Sequence, residues 1–279
     1  MLDFQCQDQY RLEDFVRLIS YLRSEQGCPW DKVQTHASIR RNFVEEVYEA
    51  CEALDSDDKA HMREELGDVL MQVLFHTDIE RQAGCFDIDD VADAACKKLV
   101  SRHPHVFGTP EQRAAGFDWE AVKQQERGQT TTSEAMESVC KALPSLWRCE
   151  KVQSKAAKAG FEWRCAEDAF AKIPEETAEL RQAIESGDTD AIEAELGDLL
   201  FAIVKVARFQ NIDPEKAAHR ACEKFIRRFS AVEADAAQQG KKVSDLTYDE
   251  MIALYTASKE REAEPTSMEI CADTCTDPI

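Results

Sequence analysis

Apolar positions recur every three or four residues through most of the chain, and strictly alternating runs are few. That period puts an apolar stripe on one face of a helix. The predicted fold class is therefore all-α, built from helical bundles. The spacing predicts helices near 37–54, 58–83, 89–102, 118–127, 145–159, 167–186, 190–210, 214–239 and 247–262. Between them, Asp55-Ser-Asp-Asp58, Asp87-Ile-Asp-Asp90, Ser186-Gly-Asp-Thr189 and Asp213-Pro214 offer N-cap acceptors or a first-turn proline. Residues 109–140, with Thr109-Pro110 and Gln129-Thr-Thr-Thr-Ser133, read as a linker enclosing one short helix. The polar tail 263–279 reads as disordered.

The pattern repeats. Glu45-Glu46-x-x-Glu49 and Glu65-x-x-Asp68 return 130 residues later as Glu175-Glu176-x-x-Glu179 and Glu195-x-x-Asp198. Leu66-Gly67-Asp68 matches Leu196-Gly197-Asp198 in the same frame. Lys98-Leu-Val-Ser-Arg102 aligns with Lys224-Phe-Ile-Arg-Arg228 at a shift of 126, and Gly27-Cys-Pro-Trp30 has a looser echo in Gly160-Phe-Glu-Trp163. Matches in this order describe one helical domain written twice, over 1–108 and 141–262, with a period far longer than a solenoid repeat.

Composition narrows the function classes. The chain has 279 residues, 43% of them apolar, and a net charge of −21. Such acidity provides no broad basic face for nucleic acid, and no stretch is apolar for long enough to cross a membrane. Ten glycines and eight prolines exclude collagen-like and turn-rich all-β chains. Met1-Leu-Asp-Phe-Gln-Cys6 lacks the basic cap and apolar run of a secretory signal. The eleven cysteines form no CxxC, and the nearest pair is Cys271 and Cys275. A cytoplasmic protein with reduced thiols is expected, with Cys51, Cys96, Cys149 and Cys222 as small apolar fillers.

The charge has an address. Residues 45–68 hold ten acids and two bases, and residues 171–198 hold nine acids and two bases. On a helix Glu46 and Glu49 share a face, as do Glu65 and Asp68. The short loop at 55–58 allows the two helices to fold back and oppose these sets. A solvated acidic surface would explain a charge run equally simply. Here, however, each set is embedded among aliphatics (Leu66, Val69, Leu70 and Val73; Leu196, Leu199, Leu200 and Ile203) and occurs twice. Oxygen ligands without a neighbouring His or Cys suit a hard cation, Mg²⁺, with Mn²⁺ as the alternative. Lys224 and Arg228, one turn apart, add a clamp for phosphate oxygens. No P-loop sequence is present.

E-E-x-x-E followed by E-x-x-D on helical hairpins resembles the all-α nucleotide pyrophosphohydrolases. Gly27-Cys-Pro-Trp-Asp31, Glu65-Leu-Gly-Asp68 and Lys98-Leu-Val-Ser-Arg-His-Pro-His-Val-Phe107 are similar in particular to the MazG-type nucleoside triphosphate pyrophosphohydrolases, over residues 15–262. The resemblance implies Mg²⁺-dependent hydrolysis of NTPs and dNTPs to the monophosphate and pyrophosphate. It also implies a homodimer and a house-cleaning role in the cytoplasm. Within the family, activity is attributed to the C-terminal copy. The resemblance thus makes Glu176, Glu179, Glu195 and Asp198 metal ligands and Glu175 an orienting or water-activating acid. Lys172, Lys224, Arg227 and Arg228 become phosphate ligands. A second site would use Glu46, Glu49, Glu65 and Asp68 with Lys98 and Arg102.

Three departures from the family pattern stand out: Pro174 before Glu175, Ala194 where relatives often have an acid, and Tyr255 where they can have Trp. Pro174 is expected at the first position of a fresh helix, leaving Lys172 outside it. His103-Pro104-His105 is expected to be a turn after a helix, and Trp30, Trp119, Trp147 and Trp163 are expected in cores or interfaces. A ferritin-like di-iron bundle would need Glu-x-x-His, which is absent. A helical module whose acidic faces bind a basic partner is the non-enzymatic alternative.

Overall fold

The computed structural model describes residues 4–114 and 128–263, which fall into two compact units, 1–123 and 124–279. Among the described residues there is no strand.

The first unit runs α1 (Leu12–Leu22), α2 (His36–Ser56), α3 (Lys59–Ala83), α4 (Ile88–Ser101) and two short helices, α5 (Pro104–Phe107) and α6 (Pro110–Ala114). Its core joins Ile19 of α1, Ile39 of α2, and Leu74 and Phe75 of α3. The α2–α3 hairpin turns in two residues. Asp57 takes the left-handed conformation (φ 57°), and the Asp58 carboxylate accepts from the Ala60 and His61 N–H groups, satisfying donors that a helix start leaves open.

The second unit runs α7 (Thr132–Glu137), α8 (Ser145–Lys158), α9 (Ala166–Phe170), α10 (Lys172–Ser186), α11 (Thr189–Phe209), α12 (Pro214–Gln238) and α13 (Tyr248–Ala263). Its hairpin, α10–α11, repeats the same loop chemistry: Gly187 is left-handed (φ 73°), and Asp188 accepts from the Asp190 and Ala191 N–H groups.

The long helices lie where the spacing predicts, but five local expectations need correction. The helix expected over 167–186 breaks at Ala171, because Pro174 has no N–H for the Phe170 carbonyl. Pro174 stands at the third position of α10, not the first. Its missing donor is there one of the first-turn N–H groups that need no helical partner, so Lys172 begins α10 instead of lying outside it. The α1 helix went unpredicted; its start is held by the Arg11 N–H donating to Asp14 at 2.8 Å. Thr132–Glu137, read as linker, is helical because Thr131 and Glu134 form a capping box. Pro104 opens the short helix α5 where a turn was expected.

The helix expected at 118–127, Trp119 and the tail from 264 lie outside the described residues. Of the expected filler thiols only Cys149 is half-buried, and Cys51, Cys96 and Cys222 are exposed. Trp30 and Trp163 are exposed within their units, and Trp147 donates to Asp213 at 2.8 Å.

Candidate metal centres

Each hairpin gathers three carboxylates. In the first unit Glu46 and Glu49 of α2 and Glu65 of α3 each bring one oxygen within 4.8 Å of the others. In the second, Glu176 and Glu179 of α10 and Glu195 of α11 do the same. The three-residue step on one helix and the two-residue turn to the next produce this convergence. Asp68 and Asp198 are not members of these groups. Asp68 is half-buried and close enough for its charge to act on Glu46, whereas Asp198 is exposed.

The electrostatics suit a cation. Burial pushes the Glu46 carboxyl up, and the charges of Asp68, Glu49 and Glu65 add to this, while a hydrogen bond from Gln72 opposes it. In the second hairpin desolvation raises Glu179, with Glu176 and Glu195 adding and Lys172 opposing. Carboxylates crowded in this way favour ionisation only if a positive charge joins them. One oxygen of Glu65, Oε2, is buried and has no hydrogen-bond partner, a costly condition for a carboxylate that a bound cation would relieve. Donor type, crowding and the orphaned oxygen together fit a hard divalent ion.

The counter-cations differ between the copies. Lys172 Nζ lies 2.6 Å from Glu175 and 3.1 Å from Glu176, and the two carboxylates hold its ammonium well above the usual lysine range. Asn42 stands at the matching place in the first copy, where Arg41 pairs with Glu45 instead, at 2.7 Å. His61 Nε2 lies 3.2 Å from Glu65 in the first copy, so the expectation of no neighbouring histidine fails there. Its i, i+4 spacing was a readable signal. Ala191 occupies that place in the second copy.

The basic residues of the second copy lie on α12. Lys224 is exposed, and Arg227 and Arg228 each donate through Nε to Glu262 of α13 at 2.7 Å. Tyr255 packs beside Phe225 at 5.8 Å between ring centroids, with Lys259 Nζ 4.9 Å from its ring. In the first copy Lys98 is exposed and Arg102 caps α4. No ion pair of the described residues joins Lys224, Arg227 or Arg228 to the carboxylate cluster. Glu262, 34 residues from Arg228, had no local signal in the sequence.

Comparison with known proteins places these hairpins. The MazG nucleotide pyrophosphohydrolase domain profile matches residues 34–107 and 166–232, one segment for each hairpin and the helix that follows it. A nucleoside triphosphate pyrophosphohydrolase/pyrophosphatase MazG of Thermotoga maritima is 39% identical, over 88% of this chain and 95% of that protein. The nucleoside triphosphate pyrophosphohydrolase of Escherichia coli K12 is 36% identical, over 91% of this chain and 99% of its own length. YabN of Bacillus subtilis is 42% identical over 91% of this chain, which spans 52% of that longer protein. Two matched segments and full-length relatives agree with the duplicated carboxylate hairpin: the chain belongs to the MazG nucleotide pyrophosphohydrolase family.

Proposed function

We propose that this chain hydrolyses nucleoside triphosphates, ribo- and deoxyribo-, to the monophosphate and pyrophosphate in a Mg²⁺-dependent reaction at the second hairpin. The observation that carries the proposal is the second carboxylate group with a lysine seated on its edge. Glu176, Glu179 and Glu195, joined by Asp198, would hold the Mg²⁺, with Mn²⁺ as a substitute; the ion supplies charge stabilisation at the reacting phosphate. Lys224, Arg227 and Arg228 bind phosphate oxygens, with lysine as a point charge and arginine as a fork. Lys172 exchanges Glu175 for a phosphate oxygen, which releases Glu175 to orient the attacking water. Water adds to the α-phosphorus, a carboxylate of the cluster takes its proton, and the bond to the bridging oxygen breaks so that pyrophosphate leaves.

The first hairpin, Glu46, Glu49, Glu65 and Asp68 with Lys98 and Arg102, binds the ion without being the main catalyst, since no lysine enters its carboxylate group. The protein works as a homodimer. Val44, Val47, Tyr48 and Leu66 on the first hairpin, and Leu196, Leu200 and Ile203 on the second, are exposed in a single chain, and apolar surface of this kind marks an interface. No helix among the described residues is long and apolar enough to cross a membrane. Nucleotide-pool control in the cytoplasm, without nucleic-acid binding, is the matching role.

Purified protein incubated with a panel of NTPs and dNTPs plus Mg²⁺ should release pyrophosphate and monophosphates. Orthophosphate and diphosphates would overturn the chemistry. A basic-partner module would instead show no hydrolysis and would lose its partner on neutralisation of Glu195 and Asp198.

A further inference from the structure

Arg227 and Arg228 are neighbours on α12, so the helix sends their side chains out about 100° apart. Both nevertheless end on one carboxylate. Glu262 accepts from Arg227 Nε through Oε1 and from Arg228 Nε through Oε2, each at 2.7 Å. The Arg228 side chain is 18% exposed and that of Glu262 27%, while Arg227 remains 65% exposed. Two guanidinium groups drawn to one point repel, and the shared carboxylate offsets this. Each arginine has five N–H donors and uses Nε on Glu262, so the terminal nitrogens remain to bind an anion.

We propose that Glu262 is a positioning residue for the substrate, converging Arg227 and Arg228 into one preformed fork for the phosphates of a nucleoside triphosphate. The inference rests on the phosphate role given to these arginines above. Ser101 stands where Arg227 would be in the first copy, so the pair of adjacent arginines belongs to the second. Prepaid ordering of two long side chains tightens ground-state binding more than it speeds the chemical step, so the effect belongs in KM.

The test is steady-state pyrophosphate release by the full chain with Mg²⁺ and the best-hydrolysed triphosphate of the panel. Four variants are compared: Glu262→Gln, Glu262→Asp, Asp235→Asn and Arg228→Ala. Glu262→Gln should raise KM roughly tenfold with kcat changed by less than about twofold, and Glu262→Asp should recover part of the loss. Asp235→Asn removes the neighbouring α12–α13 ion pair with Arg261 (2.6 Å) and should leave KM unchanged. If it raises KM as much as Glu262→Gln does, the role is merely structural and the proposal fails. An unchanged or lowered KM in Glu262→Gln, with Arg228→Ala still raising KM, overturns the positioning role and leaves the phosphate role intact. An unchanged KM in Arg228→Ala overturns the phosphate role itself.

Discussion

The two hairpins share their carboxylates and their Asp-capped turns, and differ in the charged groups that surround them. Lys172 neutralises two acids in the second copy, whereas Arg41 reaches only Glu45 in the first. On the second helix of each hairpin, Asp78 of the first copy corresponds to Arg208 of the second. Asp78 is buried against Arg23 of α1 (3.1 Å) and Ser20 (2.6 Å), while Arg208 pairs with Glu162 in the loop before α9. The charge at one position has reversed, and its partner has reversed with it. Duplication therefore kept the geometry that crowds three acids and let each copy find its own way of bracing the hairpin. A feature held in both copies despite changed surroundings is what the proposed ion would require; a feature found in one answers to that copy's own packing.

The sharpest way to break this comparison is to remove the same ligand from each copy. Glu195→Gln should lower pyrophosphate release by about a thousandfold, the scale expected when charge stabilisation of a transition state is lost. On the proposal that the second copy is the main catalyst, Glu65→Gln should leave turnover within about twofold. Equal losses from both would show that the copies work as one site, and an unchanged Glu195→Gln rate would move catalysis to the first hairpin.

The braces provide the next largest contrast. Asp78→Asn leaves the Arg23 guanidinium, 3% exposed, buried without its carboxylate, which costs about 3 kcal/mol. The partner pair in the second copy is more open, at 18% and 22% exposure, so Glu162→Gln should cost about 1 kcal/mol or less. Urea unfolding followed by circular dichroism measures both. If the order is reversed, burial is not what separates the two braces.

How much of this was legible in the sequence follows from the range of each interaction. The acids at i, i+3 and i+4 and the Asp-rich turns are local, so both hairpins and their carboxylate groups could be read from spacing. His61 beside Glu65 is equally local, at i, i+4 on one helix, and its spacing was legible in the same way. The Pro174 break was half-legible: the proline was seen, but its effect falls on the carbonyl four residues earlier. Arg23 with Asp78 and Arg228 with Glu262 are separated by 55 and 34 residues, and no periodicity links them. Only the packing of α1 on α3 and of α13 on α12 brings them together.

A third contrast is confined to the first copy. His36 Nδ1 and His76 Nδ1 are 2.7 Å apart, with ring centroids 5.0 Å apart and planes 10° from parallel, so the rings meet edge to edge along one N–H···N line. Glu80 lies 2.6 Å from His36 Nε2, and Phe43 and Arg40 complete the surroundings. Ala166, Val206 and Gln210 replace the three in the second copy. Burial first and the His36 charge second lower the His76 pKa. A histidine with a depressed folded pKa contributes stability that is complete above its unfolded value, near 6.5, and is lost as pH falls from there toward the folded value. The first unit should therefore weaken over that window. His76→Val should flatten the slope of unfolding midpoint against pH between about 7 and 5, and an unaltered slope would show that the histidine pair is not its source.

The smallest contrast is at the turn itself. Asp57 and Gly187 occupy the same place and the same left-handed conformation, at φ 57° and 73°. A side chain there crowds its own carbonyl, and aspartate tolerates this better than most residues. The Asp57–Lys59 pair, at 2.5 Å and widely exposed, offsets little of that cost. Asp57→Gly should thus leave stability within about 0.5 kcal/mol of the parent or raise it slightly, since relief of the strain is partly cancelled by the freedom glycine gives the unfolded chain. Gly187→Asp should cost about 1 kcal/mol, because the second turn has no Lys beside it: Thr189 stands where Lys59 does. Thermal unfolding of both variants measures the difference. A marked loss in Asp57→Gly would mean that the aspartate side chain, and not only its backbone, holds the first turn closed.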